Sequence, residues 1–187
     1  MNFERTPEQN AIVDAVTQLC ADFGPEYWSE LDSAHRFPEA FHQAMAGAGW
    51  LGIAMPERFG GAGLGITEAA LIMQTVSASG AGFSGASAIH MNVFGLNPVV
   101  VFGTEAQQQA ALPPLIEGRD KACFAVTEPD AGLDTTHLKT QAVRTADGSA
   151  YRVDGRKIWI STAQVATRML LLARTTPLDA VAKPTQG

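Results

Sequence analysis

Positive charge is scarce in this chain and nowhere gathered. Thirteen Lys and Arg stand against nineteen Asp and Glu in 187 residues, a formal net charge of −6. A nucleic-acid-binding face needs a basic patch or stripe, so no nucleic-acid partner is expected. Cysteine is nearly absent. Cys20 and Cys123 lie far apart in apolar surroundings, and two buried reduced thiols suit a reducing compartment better than a disulfide does. Long apolar runs are also missing from the sequence as read: none approaches the ~18 residues of a membrane span, and the polar start MNFERTPEQN has no leader pattern. A cytoplasmic protein with no membrane span is expected.

Several catalytic signatures are lacking as well. His35, His42, His90 and His137 have no partner at metal-ligand spacing, so no metal site is expected. Ser84 and Ser87 sit among glycines, but neither completes G-x-S-x-G, and a nucleophile elbow needs a strand before it. Gly47, Gly49 and Gly52 do satisfy G-x-G-x-x-G. The preceding segment PEAFHQAMA reads as a helix, however, and a dinucleotide fold needs a strand there and a βαβ unit after it. Close helix packing is the better reading of these glycines.

What the chain does have is ordinary core-forming composition: 46% hydrophobic, 17% charged, mean hydropathy +0.03. That excludes disorder and allows one large domain or two small ones. Thr6, Pro7 and Gln9 form a helix start, with Thr accepting from a free amide, Pro at the first position and Gln bonding back. Ile12, Val13, Val16, Leu19, Cys20 and Phe23 then recur at helical spacing before Gly24 and Pro25. Shorter helices are predicted over 27–34 and 38–46, and a tight glycine-dense connection over 47–65. Buried helices follow from Thr67 and over 84–102. Thr104 with Gln107 repeats the capping pattern before a helix to Ile116, which Pro113 and Pro114 must bend or end.

After Gly118 the texture changes. Segments 122–127, 141–145, 150–153, 157–161 and 169–174 read as strands, with Asp147-Gly148 and Asp154-Gly155 as hairpin turns. Met169 to Ala173 is a continuous apolar run, the pattern of a strand buried on both faces. The sequence therefore divides into a helical domain over 1–119, a β domain over 120–176, and a loose tail over 177–187.

The informative stretch is Phe124-Ala125-Val126-Thr127-Glu128-Pro129-Asp130-Ala131-Gly132-Leu133-Asp134, followed by Lys157-Ile158-Trp159-Ile160-Ser161. Here, and at Met55-Pro56-Glu57 with Gly60-Gly61, Phe102-Gly103-Thr104-Glu105 and Leu112-Pro113-Pro114-Leu115, the chain resembles the acyl-CoA dehydrogenase family. The resemblance implies an α+β fold, an all-helical N-terminal domain followed by an antiparallel β-barrel-like domain that is incomplete in this chain. It implies an FAD cofactor, with Phe124, Ala125, Val126 and Thr127 along the isoalloxazine ring, Trp159 and Ile160 against it, and the Ser161 hydroxyl near N5. Gly132 and Leu133 would complete the cofactor contacts, and Leu133 with Asp134 would meet the substrate.

The implied reaction is α,β-dehydrogenation of an acyl-CoA thioester, with hydride passing to FAD and electrons leaving to an electron-accepting flavoprotein. Leu133 departs from the Ser or Thr usual there, since it cannot donate a hydrogen bond. Thr135 or Thr136 is a candidate replacement hydroxyl. No residue is assigned as catalytic: the family's catalytic glutamate lies in a C-terminal helical bundle that these residues do not include, and Glu128 is read as a structural member of the Thr-Glu-Pro turn. The chain alone is therefore expected to be inactive and to work as a homo-oligomer or beside a longer subunit. The alternatives are a non-catalytic partner or truncated product lending half a flavin site, and a flavin monooxygenase-type member of the same superfamily.

Overall fold

The computed structural model describes residues 4–187. Seven helices come first: α1 (Pro7–Cys20), α2 (Pro25–Ser33), α3 (Glu39–Gly47), α4 (Ile66–Val76), α5 (Gly82–Phe94), α6 (Asn97–Phe102) and α7 (Glu105–Ile116). Both expected capping boxes form. The Thr6 hydroxyl accepts from the Gln9 amide at 3.2 Å and Gln9 Oε1 accepts from the Thr6 amide at 3.1 Å; Thr104 and Gln107 repeat this at 3.3 and 2.8 Å. Gln9 Nε2 also donates to Glu68 Oε1 at 2.9 Å, while Glu68 Oε2 accepts from the Gly65 amide that opens α4.

The spacing of Ile12, Val16 and Cys20 puts all three on the buried face of α1, which packs on α4. They join Phe41, Met45, Leu51, Ile72, Val76 and Ile89 in one core. Phe23, Tyr27, Trp28 and Phe41 close its end through edge-on ring contacts 5.0–5.4 Å apart. The glycine-dense connection carries two short 3₁₀ turns, Trp50–Gly52 and Glu57–Phe59. A Cβ on Gly61 would lie 2.2 Å from the Met55 carbonyl oxygen, so close backbone approach accounts for glycine there.

The helix predicted over 84–102 is broken, because α5 stops at Phe94 and Pro98 restarts the chain as α6. Pro113 and Pro114 do not end α7 before Ile116. The run Ile66–Phe102 corrects a second expectation. It is 37 residues long and holds an 18-residue window of mean hydropathy 1.3, which by length and composition alone is enough to cross a membrane. In this fold it bends at Gly80 and Gly82, whose φ values are +101° and +54°, and it contributes Ile72, Val76 and Ile89 to the core.

Asn92 joins the helices to the β region: its side-chain amide donates to the carbonyls of Leu115 at 3.1 Å and Asp120 at 2.9 Å. A second apolar cluster, Met55, Leu96, Leu112, Leu115 and Ala122, continues the core to the first strand. The strands are β1 (Ala122–Ala125), β2 (Gln141–Arg144), β3 (Tyr151–Asp154) and β4 (Arg168–Leu171). β2 and β3 pair antiparallel, with Gln141 opposite Asp154, across the expected Asp147-Gly148 turn. β1 and β4 pair in parallel, with Ala122 opposite Arg168. A helical domain followed by small sheets is therefore what forms, although one of its two ladders is parallel where an antiparallel sheet was expected.

Three further expectations are corrected. Residues 157–161 form no strand, and Gly155 makes no positive-φ turn; it packs against Thr140 instead. The apolar run in β4 is not buried on both faces: Met169, Leu171 and Leu172 are all exposed. The tail is not loose. Arg174, itself buried, donates from Nε to the Thr176 carbonyl and from Nη1 to the carbonyls of Thr136 and Pro184, each at 3.1 Å, and from Nη2 to Gln186.

Candidate functional site

β1 leads directly into the Thr-Glu-Pro turn. Ala125 is buried, Val126 and Thr127 are half-buried, and Phe124 faces outward. The turn closes on itself, since the Glu128 and Ala131 backbones exchange hydrogen bonds of 3.0 and 3.2 Å across Pro129 and Asp130. Three carbonyls in a row are taken internally: Ala125 accepts from the Leu172 amide at 3.0 Å, Val126 from Lys157 Nζ at 2.8 Å, and Thr127 from the Ile158 amide at 2.9 Å. The amides of Val126 and Thr127 and the Thr127 hydroxyl have no hydrogen-bond partner among the described residues.

The Ile158 bond delivers the next residue, Trp159, beside this edge. Its φ is +57°, and Thr162 three residues later has φ +69°. Left-handed backbone at two non-glycine residues turns the chain sharply where a strand was predicted. The Trp159 side chain is 86% exposed, so an indole face stands bare. Ile160 is half-buried and Ser161 exposed.

The carboxylate of Glu128 is saturated. Its Oε1 accepts from the Thr140 amide at 2.9 Å, the Thr140 hydroxyl at 2.5 Å and Lys157 Nζ at 2.9 Å, and its Oε2 accepts from the Lys139 amide at 2.6 Å. Burial raises its pKa, but the bonds from Thr140, Lys139 and Lys157 outweigh burial and bring it to about 2. Four hydrogen bonds thus hold this carboxylate as an anion at neutral pH.

Gly132, Leu133 and Asp134 lie on the exposed loop that follows. Leu133 is fully exposed. Asp134 accepts from the Thr136 hydroxyl at 2.5 Å and pairs with His137 at 2.6 Å; the Thr136 hydroxyl, with a smaller contribution from His137, holds its carboxyl below the usual range. The candidate replacement hydroxyl of Thr136 is thus committed to Asp134. The structure brings 126–128 together with Lys157 and Ile158 through direct bonds. No bond joins Gly132, Leu133 or Asp134 to Trp159 among the described residues.

Sequence reasoning missed a cleft of about 560 Å³ lined by His35, Phe37, Phe83, Ser84, Ser87 and Thr162, among others. Ser84, Ser87 and Ala88 stand at i, i+3 and i+4 on one face of α5, so the small residues rejected as nucleophiles are the cleft wall. That spacing was the available signal.

A helical domain followed by small sheets, with an exposed indole and unpaired amides in the loops of the β region, makes this an α+β chain. Family models for the acyl-CoA dehydrogenase N-terminal domain and middle domain match residues 6–119 and 123–185. The chain belongs to the acyl-CoA dehydrogenase family. A probable acyl-CoA dehydrogenase of Bacillus subtilis is 33% identical over 177 residues, covering 94% of this chain and 45% of that relative. The butyryl-CoA dehydrogenase structure from Megasphaera elsdenii superposes with a TM-score of 0.83 at 26% identity, over 94% of this chain and 46% of its own. An acyl-CoA dehydrogenase complexed with FAD from Bacillus anthracis gives a TM-score of 0.80 at 27% identity, over 91% and 29%. The chain thus spans less than half the length of these relatives.

Proposed function

We propose that this chain supplies the isoalloxazine platform and the acyl cleft of an FAD-dependent acyl-CoA dehydrogenase, a flavoprotein that oxidises an acyl-CoA thioester between its α and β carbons. The reading rests on the bare Trp159 indole beside the unpaired amides of Val126 and Thr127. An exposed indole offers a flat apolar face, and two free amides offer donors to a ring's polar rim. Phe124, Ala125, Val126 and Thr127 would line that rim, with Trp159 and Ile160 against the ring and the Ser161 hydroxyl at its edge. When bound, FAD supplies the hydride acceptor.

The cleft is reached by the same segment, since Thr162, Gln164 and Val165 form one wall and Phe83, Ser84 and Ala88 the other. An acyl chain laid there would be held against apolar side chains, with the hydroxyls of Ser84, Ser87 and Thr162 available to its polar end. Leu133, fully exposed, and Asp134, bonded to Thr136 and His137, would meet the substrate at the rim. An electron-accepting flavoprotein is the acceptor class that fits such chemistry.

Proton removal from the α carbon needs a positioned base. The one buried carboxylate among the described residues, Glu128, is saturated and anionic, so this chain alone is proposed not to turn over. The base would come from a further segment or a longer subunit. Titration with FAD, followed by tryptophan quenching and compared with NAD, checks the cofactor; tight NAD binding with no flavin response refutes it. Turnover of an acyl-CoA with a dye acceptor by this chain alone would refute the proposal that the base comes from elsewhere.

A further inference from the structure

Glu128 and Lys157 are oppositely charged side chains only 5% and 9% exposed, with Nζ 2.9 Å from Oε1. Removing two charges from water costs several kcal/mol per ion, so a buried pair of this kind is weak evidence for stability. What the pair connects is more telling than what it stabilises. Lys157 Nζ reaches both Glu128 and the Val126 carbonyl, and the next residue, Ile158, bonds the Thr127 carbonyl. On the other side, Glu128 is fixed by the amides of Lys139 and Thr140 and by the Thr140 hydroxyl.

We propose that the Glu128–Lys157 pair is the positioning device of the candidate flavin site, holding Trp159 in register with the Val126 and Thr127 amides. The proposal rests on the reading of that site given above.

Trp159 cannot orient itself by packing, because its indole is 86% exposed. The backbone sets where its side chain leaves the chain, and that backbone is left-handed at φ +57°. Such a conformation costs about 1–3 kcal/mol and persists only where surrounding contacts over-determine it. The contacts on its N-terminal side are the ion pair at Lys157 and the Ile158–Thr127 bond. On its C-terminal side the chain is caught by the Thr162 carbonyl, which accepts from the amides of Val165 and Ala166, and by the Thr167 amide on the Lys121 carbonyl. Glu128 acts through Lys157, not on a ligand, so neither is a catalytic residue. Because Glu128 also grips Lys139 and Thr140, one carboxylate fixes both ends of the loop bearing Gly132, Leu133 and Asp134.

Either single substitution leaves one charge buried and unpaired, which is strongly destabilising. The decisive variant is therefore Glu128→Gln with Lys157→Met, which keeps the volume and removes both charges. The full chain carries three tryptophans. Labelled with 5-fluorotryptophan it gives a fluorine resonance for each, and Trp159→Phe assigns the one that matters. In the flavin-free double variant the Trp159 resonance is expected to shift and broaden while those of Trp28 and Trp50 stay in place. FAD is expected to bind about ten-fold more weakly, the scale on which supporting contacts tune a site.

An unmoved Trp159 resonance overturns the proposal. So does movement of all three resonances together, which would mark a general structural role, or unchanged FAD affinity despite a shifted Trp159. If the unaltered chain binds no FAD, the flavin reading fails instead, and the flavin-free resonances alone decide whether the pair positions Trp159.

Discussion

His42 lies edge-on to Phe37, with ring centroids 5.6 Å apart, and is wholly buried on α3 with neither ring nitrogen hydrogen bonded among the described residues. Burial and the nearby Lys121 ammonium lower its pKa to about 4 from 6.5, against the opposing pull of Glu39. Below pH 6.5 the unfolded chain binds a proton that the folded chain refuses, so stability falls as pH drops toward 4. The loss is about 2–3 kcal/mol over that window. Urea unfolding midpoints measured from pH 7 to 4 check this. His42→Leu is expected to flatten the decline, and an equal decline in both proteins would assign it to other groups.

Trp159→Ala separates stability from binding. A side chain 86% exposed contributes little packing, and the melting temperature should correspond to a change within about 0.5 kcal/mol. Flavin-induced quenching and spectral perturbation should be lost. A large drop in melting temperature would mean that the indole is structural.

Arg174→Met should free the tail without disturbing the helices. Four backbone carbonyls lose their donor, including those of Pro184 and Gln186. Hydrogen exchange at the Thr175 and Gln186 amides, now bonded to the Gly187 and Lys183 carbonyls, should quicken by about ten-fold or more as local opening becomes easier. Unchanged exchange would show that those turns hold themselves.

β4 pairs with β1 on one side only among the described residues, and Met169, Leu171 and Leu172 are exposed on it. A short apolar strand with an open edge recruits other chains. Light scattering of the intact chain should rise with concentration, and Leu171→Lys should suppress the rise. If both proteins stay monomeric, the edge is protected by its own twist or neighbours.

Local chemistry was legible in the sequence wherever it decided the outcome. The boxes at Thr6–Gln9 and Thr104–Gln107, the spacing of Ile12, Val16 and Cys20, and the Asp147-Gly148 turn each involve neighbours along the chain. Residues 157–161 were misread because Ile158, Trp159 and Ile160 have strand-like composition, while their conformation is fixed by Val126, Thr127 and Glu128, about thirty positions away. The parallel pairing of β1 with β4 and the cleft share that cause. Each is assembled from segments remote in sequence, and no periodicity within one segment encodes it. Arg174 is of the same kind: it gathers carbonyls of Thr136, Thr176, Pro184 and Gln186 that no pattern of the tail announces.

Gln9 and Glu68 make the beginnings of two helices answer to each other. Gln9 serves the Thr6 amide with one atom and Glu68 with another, while Glu68 holds the Gly65 amide. Fraying of α1 at its first turn therefore withdraws a donor from the residue that caps the start of α4, 59 positions on in sequence. Opening of either helix start should therefore ease opening of the other, so damage around Thr6 and Gln9 would be registered at the entry to α4.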